Sequence, residues 1–383
     1  MLNRRHLLKG LPAAAMLSRS IAAHAAAPPI RLLIGTGTAD PSQSKGIYIA
    51  DWNAKSGEIG AFTLAAALES PTWLALSPRA PRLYALSEIK AGKVTAFDLH
   101  HGRDAALTLE KINEQPAEGE GPAHVSVNSD GRSAFVANYG SGSLTSYKVE
   151  RSGALSAPVT HIQYTPVDAD PAHAKPHAHQ ATPSPDGRFL LVNDLGSDRI
   201  NVYKIDAGSG KLTPNSPPFW QGRLKSGPRH LTFHPNGKWV YNVNELDSTV
   251  DLLYWNNIRG TLTTHGAPLS TLPVGYPPGT AFCSEILTSP DGRFVYVGNR
   301  RNETIATLDV NPDSGDLVLS QLSPHGGKSA RHVTLDPSGR FLLIALQDSN
   351  GIAVLSRDPR TGQLSDPFHT FPIDSPQCLV FTT

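Results

Sequence analysis

The amino-acid sequence predicts an all-β protein, a seven-bladed β-propeller in which the two chain ends share one blade. Three observations predict this fold: a turn motif that recurs, a glycine hairpin motif found seven times, and a C-terminal segment that matches an internal strand. The composition agrees, because 33 glycines, 32 prolines and only 17% charged residues suit many short strands joined by turns. A propeller of 383 residues is an ordinary single domain.

The first signal is the turn Ser-Pro-Asp-Gly-Arg, followed by an apolar strand. It occurs at residues 184–188 and again at 289–293. Proline presets the backbone of the turn, aspartate caps it, and glycine adopts a conformation that other residues resist. Variants of the same turn occupy residues 77–82, 129–132, 234–238 and 336–340. The recurrence indicates a repeated structural unit.

The second signal is a glycine followed two residues later by leucine or isoleucine. It marks Gly57, Gly153, Gly210, Gly260, Gly315 and Gly362, with a degenerate seventh copy at Gly102. Successive glycines are 45 to 57 residues apart, which predicts seven four-stranded units. The strands between the motifs are nearly continuous apolar runs, as expected when each unit buries both faces against its neighbours.

The chain ends predict how the ring closes. The tail at 375–381 resembles the innermost strand at 227–233 and then stops, while the segment at 31–35 has the character of the next strand outward. The C-terminus is therefore expected to supply the inner strand of one blade. Residues 31–65 are expected to supply its three outer strands.

Residues 1–25 are predicted to be an export signal of the twin-arginine type, which leaves 26–383 as the propeller domain. Arg4 and Arg5 open a basic segment, an apolar run follows, and the segment at 23–25 fits a signal-peptidase site. An ordinary secretory signal is the alternative, and either one predicts a periplasmic protein. No stretch is long and apolar enough to predict a membrane span.

The charge of the chain bears on its partners. Removing the signal takes away four basic residues and leaves 30 basic against 33 acidic residues, a net charge of about −3. Nucleic-acid-binding proteins usually carry a basic excess, so no nucleic-acid partner is expected. The expected partner is a small molecule, and the chain is expected to be a monomer or a weak oligomer.

Aligning the units on their turns brings polar residues of different blades to one end of the channel. The first column opens the inner strands and contains Thr72, Ala123, His179, Arg229, Ser284, Arg331 and Gln377. The next column contains Trp73, His124, Gln180, His230, Glu285 and His332. The end of the second strand returns to the same face, with Tyr139, Leu195, Glu245, Arg300 and Gln347. The sequence therefore predicts a polar channel mouth.

Residues that interrupt the repeat are the best candidates for chemistry, because periodic packing does not require them. The residues predicted to be catalytic are His179, Arg229, Glu245 and Arg300. The residues predicted to bind substrate are His124, Glu285, Arg331 and Gln347. A structural role is the alternative, above all for His124, His230 and His332, whose recurrence in one column is typical of hydrogen bonding between blades.

The segment Gly227-Pro228-Arg229-His230, continued by Asn244-Glu245-Leu246, resembles the signature of the lactonase propeller family. That family includes bacterial 6-phosphogluconolactonases and is similar to fungal carboxymuconate-lactonising enzymes. The resemblance covers residues 30–383 and implies a site in the central channel. It also implies active-site roles for His179, Arg229, Glu245 and Arg300, with Gln347 matching a family glutamine. The export signal is a departure, because phosphorylated sugar lactones are mainly cytosolic.

The function that this resemblance implies is hydrolysis of a sugar lactone, such as gluconolactone or 6-phosphogluconolactone, by water attack at the channel mouth. The reaction needs a base for the water, stabilisation of the carbonyl oxygen and a proton for the leaving alkoxide. Glu245 or His179 is expected to be the base, and Arg229 and Arg300 are expected to hold the oxyanion. No metal or other cofactor is expected, because the ring is already reactive. The alternatives are a muconate-type lactonising cycloisomerase and a non-enzymatic binding propeller.

Overall fold

The computed structural model describes residues 29–102, 106–166 and 175–382, and in this part of the chain the strands form seven antiparallel sheets. Each sheet is one blade, and the innermost strand of each blade contacts the innermost strands of the two neighbouring blades. The contacts run around a complete circle, which confirms the seven-bladed propeller. The predicted export signal at 1–25 lies outside the described residues.

The strands are numbered in chain order and the blades I to VII. The first strands are β1 (Arg31–Thr36), β2 (Gly46–Asn53), β3 (Glu58–Ile59) and β4 (Thr63–Ala67). Blades I to III contain β5 (Leu74–Leu76), β6 (Arg82–Ser87), β7 (Lys93–His101), β8 (Leu107–Pro116), β9 (Pro122–Val127), β10 (Ser133–Asn138), β11 (Ser143–Lys148), β12 (Thr160–Gln163), β13 (Ala178–Pro183), β14 (Phe189–Asp194), β15 (Arg199–Ile205) and β16 (Leu212–Gln221). Blades IV to VI contain β17 (Pro228–Phe233), β18 (Trp239–Asn244), β19 (Thr249–Asn256), β20 (Thr261–Ser270), β21 (Phe282–Thr288), β22 (Phe294–Arg300), β23 (Thr304–Val310), β24 (Leu317–Pro324), β25 (Ala330–Leu335), β26 (Phe341–Leu346), β27 (Gly351–Ser356) and β28 (His369–Pro372), with a 3-10 turn at Gln347–Ser349. The last strand is β29 (Pro376–Thr382).

Blade VII joins the two ends of the chain, as the sequence predicted. Strand β29 is its innermost strand and pairs antiparallel with β1, from Arg31 opposite Thr382 to Thr36 opposite Pro376. Strand β2 follows β1, and both β3 and β4 pair with β2, so this sheet has five strands. The N-terminal contribution therefore extends past the predicted boundary to Ala67.

The turn motif is held by its own side chains. In the first complete copy, Ser184 Oγ donates to Asp186 Oδ1 at 2.6 Å and accepts from the backbone N–H of Phe189 at 3.0 Å. Gly187 has a φ of +69°, in the left-handed region that favours glycine. The second copy repeats these contacts, since Ser289 Oγ donates to the aspartate at 2.6 Å and accepts from the first strand residue at 3.0 Å.

The hairpin motif connects neighbouring blades. At four of the hairpin glycines that the structure describes, the aromatic residue that follows the turn of one blade packs on the hairpin glycine of the next blade. A β-carbon on Gly315 would lie 2.6 Å from the ring of Trp239, and one on Gly260 would lie 2.3 Å from the ring of Phe189. Glycine is therefore required at these hairpins because a ring from the adjacent blade occupies the space of a side chain.

The hydrophobic core lies between the blades. Between blades I and II, for example, Tyr84 and Val94 pack in one buried cluster with Val125, Val136 and Tyr147. A fully buried side chain of this size stabilises the fold by about 1.5–3 kcal/mol. Burial on both faces of each blade explains the continuous apolar runs in the sequence.

Candidate active site

A β-bulge opens the inner strand at the channel mouth in six of the seven blades that the structure describes. In blade IV, Pro228 pairs with Asn244 and His230 pairs with Val243, so Arg229 is an extra residue without a cross-strand partner. The same offset sets apart His179 in blade III, Arg331 in blade VI and Gln377 in blade VII. A bulge bends the strand and re-aims the side chain that it carries. The first predicted column is therefore largely a ring of bulge residues.

Glu245 joins two arginines from separate blades. Its Oε2 lies 2.9 Å from Nε of Arg229 in the same blade and 3.0 Å from Nη2 of Arg300 in blade V. Both guanidinium groups also donate to backbone carbonyl groups of β21, Arg229 to Ser284 and Arg300 to Cys283. The exposed fraction of the side chain is 1% for Arg229, 17% for Glu245 and 18% for Arg300. Arg300 and Glu245 thus reach solvent, and Arg229 supports them from behind.

The charge of Arg229 survives its burial. Burial and the nearby Arg331 lower the pKa of Arg229 to about 9, while Glu245 opposes that shift. The guanidinium group is therefore still positive at neutral pH. The cluster of Arg229, Glu245 and Arg300 carries one net positive charge, and the extra charge belongs to the buried Arg229, which is not part of the lining of the mouth cavity.

His179 is a buried imidazole beside this cluster. Its Nδ1 lies 3.0 Å from Nε2 of His230, and the ring of Tyr139 stands edge-on, 5.4 Å away between ring centroids. Burial, followed by the positive charge of Arg229, lowers the pKa of His179 well below its ordinary value. At neutral pH the ring is uncharged, so one of its nitrogens can accept a proton.

A cavity of about 800 Å³ opens at the channel mouth. Arg300, Arg331 and Gln347 line it, together with the bulge residue Gln377 and with Thr72 of blade I. Small-molecule sites usually measure about 300–1,000 Å³. The cavity is therefore large enough for a monosaccharide-sized ligand.

Behind the mouth, a layer of rings fills the channel. Trp73 is surrounded by His124, His230 and His332, with ring centroids 4.5, 5.3 and 5.1 Å away. Glu285 lies in the same layer, with Oε1 at 3.0 Å from Nδ1 of His230. Trp73, Glu285 and His332 also line a smaller cavity of about 320 Å³, which reaches the turn at the opposite end of blade V. This layer separates the two ends of the channel.

A sequence profile for "Lactonase, 7-bladed beta-propeller" matches residues 31–381. The chain belongs to this lactonase family. It is similar to the 6-phosphogluconolactonase of Bacillus subtilis, with 31% identity over 352 residues that cover 90% of this chain and 97% of that protein. It is also similar to a 6-phosphogluconolactonase of Formosa agariphila, with 30% identity over 312 residues, 80% of this chain and 86% of that one. The solved structure of a periplasmic gluconolactonase of Pseudomonas aeruginosa superposes with a TM-score of 0.86 at 28% identity, covering 92% of this chain and 99% of that chain.

The family assignment confirms the resemblance found in the sequence. The fold also brings the four residues that were predicted to be catalytic close to one another. Arg229, Glu245 and Arg300 form the ion-pair cluster, and His179 lies beside it. Two residues predicted to bind substrate, Arg331 and Gln347, line the mouth cavity. Their positions are now described, while their roles stay predictions.

The other two residues predicted to bind substrate, His124 and Glu285, lie elsewhere in the lactonase propeller. Both are 6% exposed and belong to the layer of rings behind the mouth, and neither lines the mouth cavity. The bulges account for part of the difference, because the residue that follows each bulge faces the channel interior. Of the bulge residues, Arg331 and Gln377 line the mouth cavity, whereas His179 and Arg229 are 4% and 1% exposed and are not part of its lining.

The sequence predicted that His230 serves blade packing, yet in the structure this residue joins His179 to Glu285. It contacts His179 with one ring nitrogen and Glu285 with the other. A signal was present, because His230 follows Arg229 directly and shares a column with Glu285. Trp73, at the centre of the layer, was visible in the sequence only as a member of that column.

His177, two residues before His179, occupies a separate position. Its ring stacks on Tyr139 at 4.4 Å between centroids, and its Nδ1 lies 2.9 Å from the carbonyl oxygen of Tyr139. Within residues 29–102, 106–166 and 175–382, no group of three His, Cys, Asp or Glu side chains is arranged to hold a metal ion. The expectation of a reaction without metal or cofactor stays a prediction.

Proposed function

We propose that this protein hydrolyses a sugar lactone at the channel mouth. The observation that carries the proposal is a neutral imidazole, His179, whose pKa is lowered by burial and by the charges of Arg229 and Arg300, in a site where Arg300 is partly exposed and paired with Glu245. Opening a cyclic ester needs a base for water and a cation for the oxyanion. The names of relatives support the proposal, since they are 6-phosphogluconolactonases and a gluconolactonase.

In the proposed reaction His179 is the base. Water attacks the carbonyl carbon while Nε2 of His179 takes its proton, and negative charge develops on the carbonyl oxygen beside Arg300. When the intermediate collapses, the bond from the carbonyl carbon to the ring oxygen breaks, and the imidazolium returns the proton to that oxygen. The product is the open-chain sugar acid. Glu245 is assigned to holding the arginines, because both guanidinium groups share its Oε2.

We further propose that the preferred lactone carries no phosphate. The charged side chains that line the mouth cavity are the guanidinium groups of Arg300, Arg301 and Arg331 and the carboxylates of Asp40, Glu88, Asp348 and Asp374. Glu245 already pairs with Arg300. This balance leaves no cationic excess for a phosphate dianion. Gluconolactone is therefore the first candidate, and the name of the Bacillus subtilis relative makes 6-phosphogluconolactone the second.

The test is a pH-stat assay with gluconolactone and 6-phosphogluconolactone, from which spontaneous hydrolysis is subtracted. His179→Gln should lower kcat by about 100- to 10,000-fold, the usual contribution of a general base. His234→Gln is the matched control. His234 lies at the turn end of blade IV, where its Nε2 is 2.9 Å from the carbonyl oxygen of Gly292. That variant should keep wild-type activity.

Each outcome decides one part of the proposal. Wild-type kcat in the His179→Gln variant would remove the base from the mechanism. A preference for the phosphorylated lactone of about tenfold or more, equal to 1.4 kcal/mol, would overturn the substrate and leave lactone hydrolysis standing. A protein that opens neither lactone but changes the ultraviolet absorbance of a muconate would be a cycloisomerase. With no turnover of either class, the binding propeller would replace the enzyme.

We also propose that the protein is periplasmic. The support comes from the sequence of residues 1–25 and from the Pseudomonas aeruginosa relative, whose name is periplasmic gluconolactonase. In the described part of the chain, no helix is long and apolar enough to cross a membrane. Cell fractionation should find the wild-type protein in the periplasm. The double variant Arg4→Lys and Arg5→Lys, which keeps the charge, should stay in the cytoplasm if export uses the twin-arginine route.

A further inference from the structure

We propose that Glu285 and His230 are positioning residues that hold His179 in the tautomer with a proton-free Nε2. The inference rests on the proposed lactonase function, because it identifies the atom of His179 that takes the proton from water. It also changes the role of Glu285, from binding the substrate to orienting the base.

The three side chains form one chain of hydrogen bonds across three blades. Glu285 lies on β21, His230 on β17 and His179 on β13. Nδ1 of His230 is 3.0 Å from Oε1 and 3.2 Å from Oε2 of Glu285, and its Nε2 is 3.0 Å from Nδ1 of His179. The exposed fractions are 6% for Glu285, 0% for His230 and 4% for His179. The three side chains are therefore largely shielded from bulk solvent.

The order of donors follows from the chemistry of each group. A carboxylate only accepts hydrogen bonds, and a neutral imidazole has one N–H and one bare nitrogen. Glu285 therefore places the proton of His230 on Nδ1, which makes Nε2 of His230 an acceptor. His179 must then donate from Nδ1, so its Nε2 carries no proton. A buried acid orients the catalytic histidine of serine proteases in the same way.

The proton-free atom is available for chemistry. Nε2 of His179 forms no hydrogen bond with any residue that the structure describes, whereas Nδ1 is committed to His230. The ring also lies near the cationic groups of the mouth, since Arg229, Arg331 and Arg300 all act on its pKa. The proposed reaction therefore requires a water molecule to reach Nε2 from the mouth, under the influence of these cations.

The chain requires neutral rings and an ionised carboxylate. The pKa of His179 and that of His230 both lie well below the ordinary value, because the rings are buried and because Arg229 adds a nearby positive charge. Burial raises the pKa of Glu285. Three groups oppose that shift: His332, Arg229 and the backbone N–H of Ile286, whose nitrogen is 3.1 Å from Oε1.

The other titratable or charged groups around Glu285 are His230, Arg331 and Cys378. A protonated Glu285 would donate to His230 and reverse the order, so the arrangement is lost at acid pH.

The first test needs neither a mutation nor a substrate. Nitrogen NMR shifts of the ring of His179 in the wild-type protein at neutral pH report which nitrogen carries the proton. We expect the proton on Nδ1 and a bare Nε2. A proton on Nε2 would overturn the inference, whatever the protein hydrolyses. If Nδ1 carries the proton in a protein that opens no lactone, the proposed function fails and the orientation of His179 stands.

The second test breaks the chain of hydrogen bonds at Glu285 and at His230. Glu285→Gln keeps the size of the side chain and removes its charge, and His230→Gln removes the ring that transmits the order. Each variant should lose about tenfold or more in kcat with KM unchanged, because His179 in the wrong tautomer cannot take the proton from water. In Glu285→Gln, the ring nitrogens of His179 should show a mixture of tautomers.

The matched control is His234→Gln. His234 lies in the same blade as His230 but at its turn end, where its Nε2 is 2.9 Å from the carbonyl oxygen of Gly292, and it contacts neither Glu285 nor His179 among the described residues. This variant should keep wild-type kcat and the wild-type shifts of His179. Unchanged kcat and unchanged shifts in Glu285→Gln would overturn the positioning role.

Discussion

Two arginines share one carboxylate at the channel mouth, and they differ in depth. The side chain of Arg229 is 1% exposed and that of Arg300 is 18% exposed, although both contact Oε2 of Glu245. Arg300 therefore faces the mouth cavity, and Arg229 contacts Glu245 from the buried side. The sequence predicted one role for both, because a position in the repeat indicates which end of the channel a residue occupies and not how deeply it is buried.

Replacing each arginine by alanine separates these two effects. Arg300→Ala should lower kcat/KM by about 100- to 1,000-fold, as the loss of one oxyanion donor does. Arg229→Ala should lower the free energy of unfolding by about 2–5 kcal/mol, because it leaves a cavity in place of a fully buried side chain, leaves the carbonyl of Ser284 unpaired and leaves Glu245 with Arg300 alone. Steady-state kinetics and urea unfolding measure the two quantities. Equal losses of stability in both variants would contradict the difference in depth.

At the scale of the elements, two motifs that are separate in the sequence form one contact in the fold. The residue after the turn in one blade packs on the hairpin glycine of the next, as Trp239 does on Gly315. The sequence predicts both motifs and their spacing, because turns are local features. It does not predict the contact, because the two partners belong to different repeats.

The contribution of this contact to the free energy of unfolding can be measured by replacing two glycines. Gly315 has a φ of +81° and would place a β-carbon 2.6 Å from Trp239, whereas Gly237 has a φ of +68° and nothing within 4 Å of that position. Gly237→Ala should cost about 1–2 kcal/mol, the strain of a left-handed backbone. Gly315→Ala should cost more, because Trp239 must also move. Urea unfolding of both variants gives the difference, and a difference of zero would show that the contact adds no stability.

The bulges mark the limit of what the sequence predicts about the site. The blades, the closure of the ring and the four residues at the mouth follow from turns and from interruptions of a repeat. A single extra residue leaves the composition of a strand unchanged, yet it decides which of two consecutive residues faces the mouth. For this reason His124 and Glu285 were expected to bind substrate, and His230 was assigned to packing.

At the scale of the whole molecule, the ring gathers buried histidines from four blades. Burial lowers the pKa of His124, His179, His230 and His332. The family match at 31–381 spans this entire ring. The boundary at residue 26 and the monomeric or weakly oligomeric state stay predictions.

These histidines make the stability of the fold depend on pH. In the unfolded chain they bind protons below about pH 6.5, and in the folded protein they do not, so stability is fully present above that pH and falls below it. Glu285 and Asp194, whose pKa values are raised, act in the opposite direction, but they are outnumbered by these four histidines and His325, whose pKa burial also lowers. The melting temperature should therefore decrease between about pH 6.5 and pH 5. The decrease should be smaller in His332→Gln, and a constant melting temperature would contradict the prediction.

The bulges also bear on how such a ring can change its chemistry. A bulge residue has no cross-strand partner in its sheet, so replacing its side chain leaves the pairing of the strands intact. The chain already shows this, since nearly equivalent strands present alanine, histidine, arginine and glutamine, at Ala123, His179, Arg229, Arg331 and Gln377. The side chains at these bulge positions can therefore change while the paired strands stay the same. Substitutions at the bulges are a route by which a related propeller can acquire a new ligand without a change of fold.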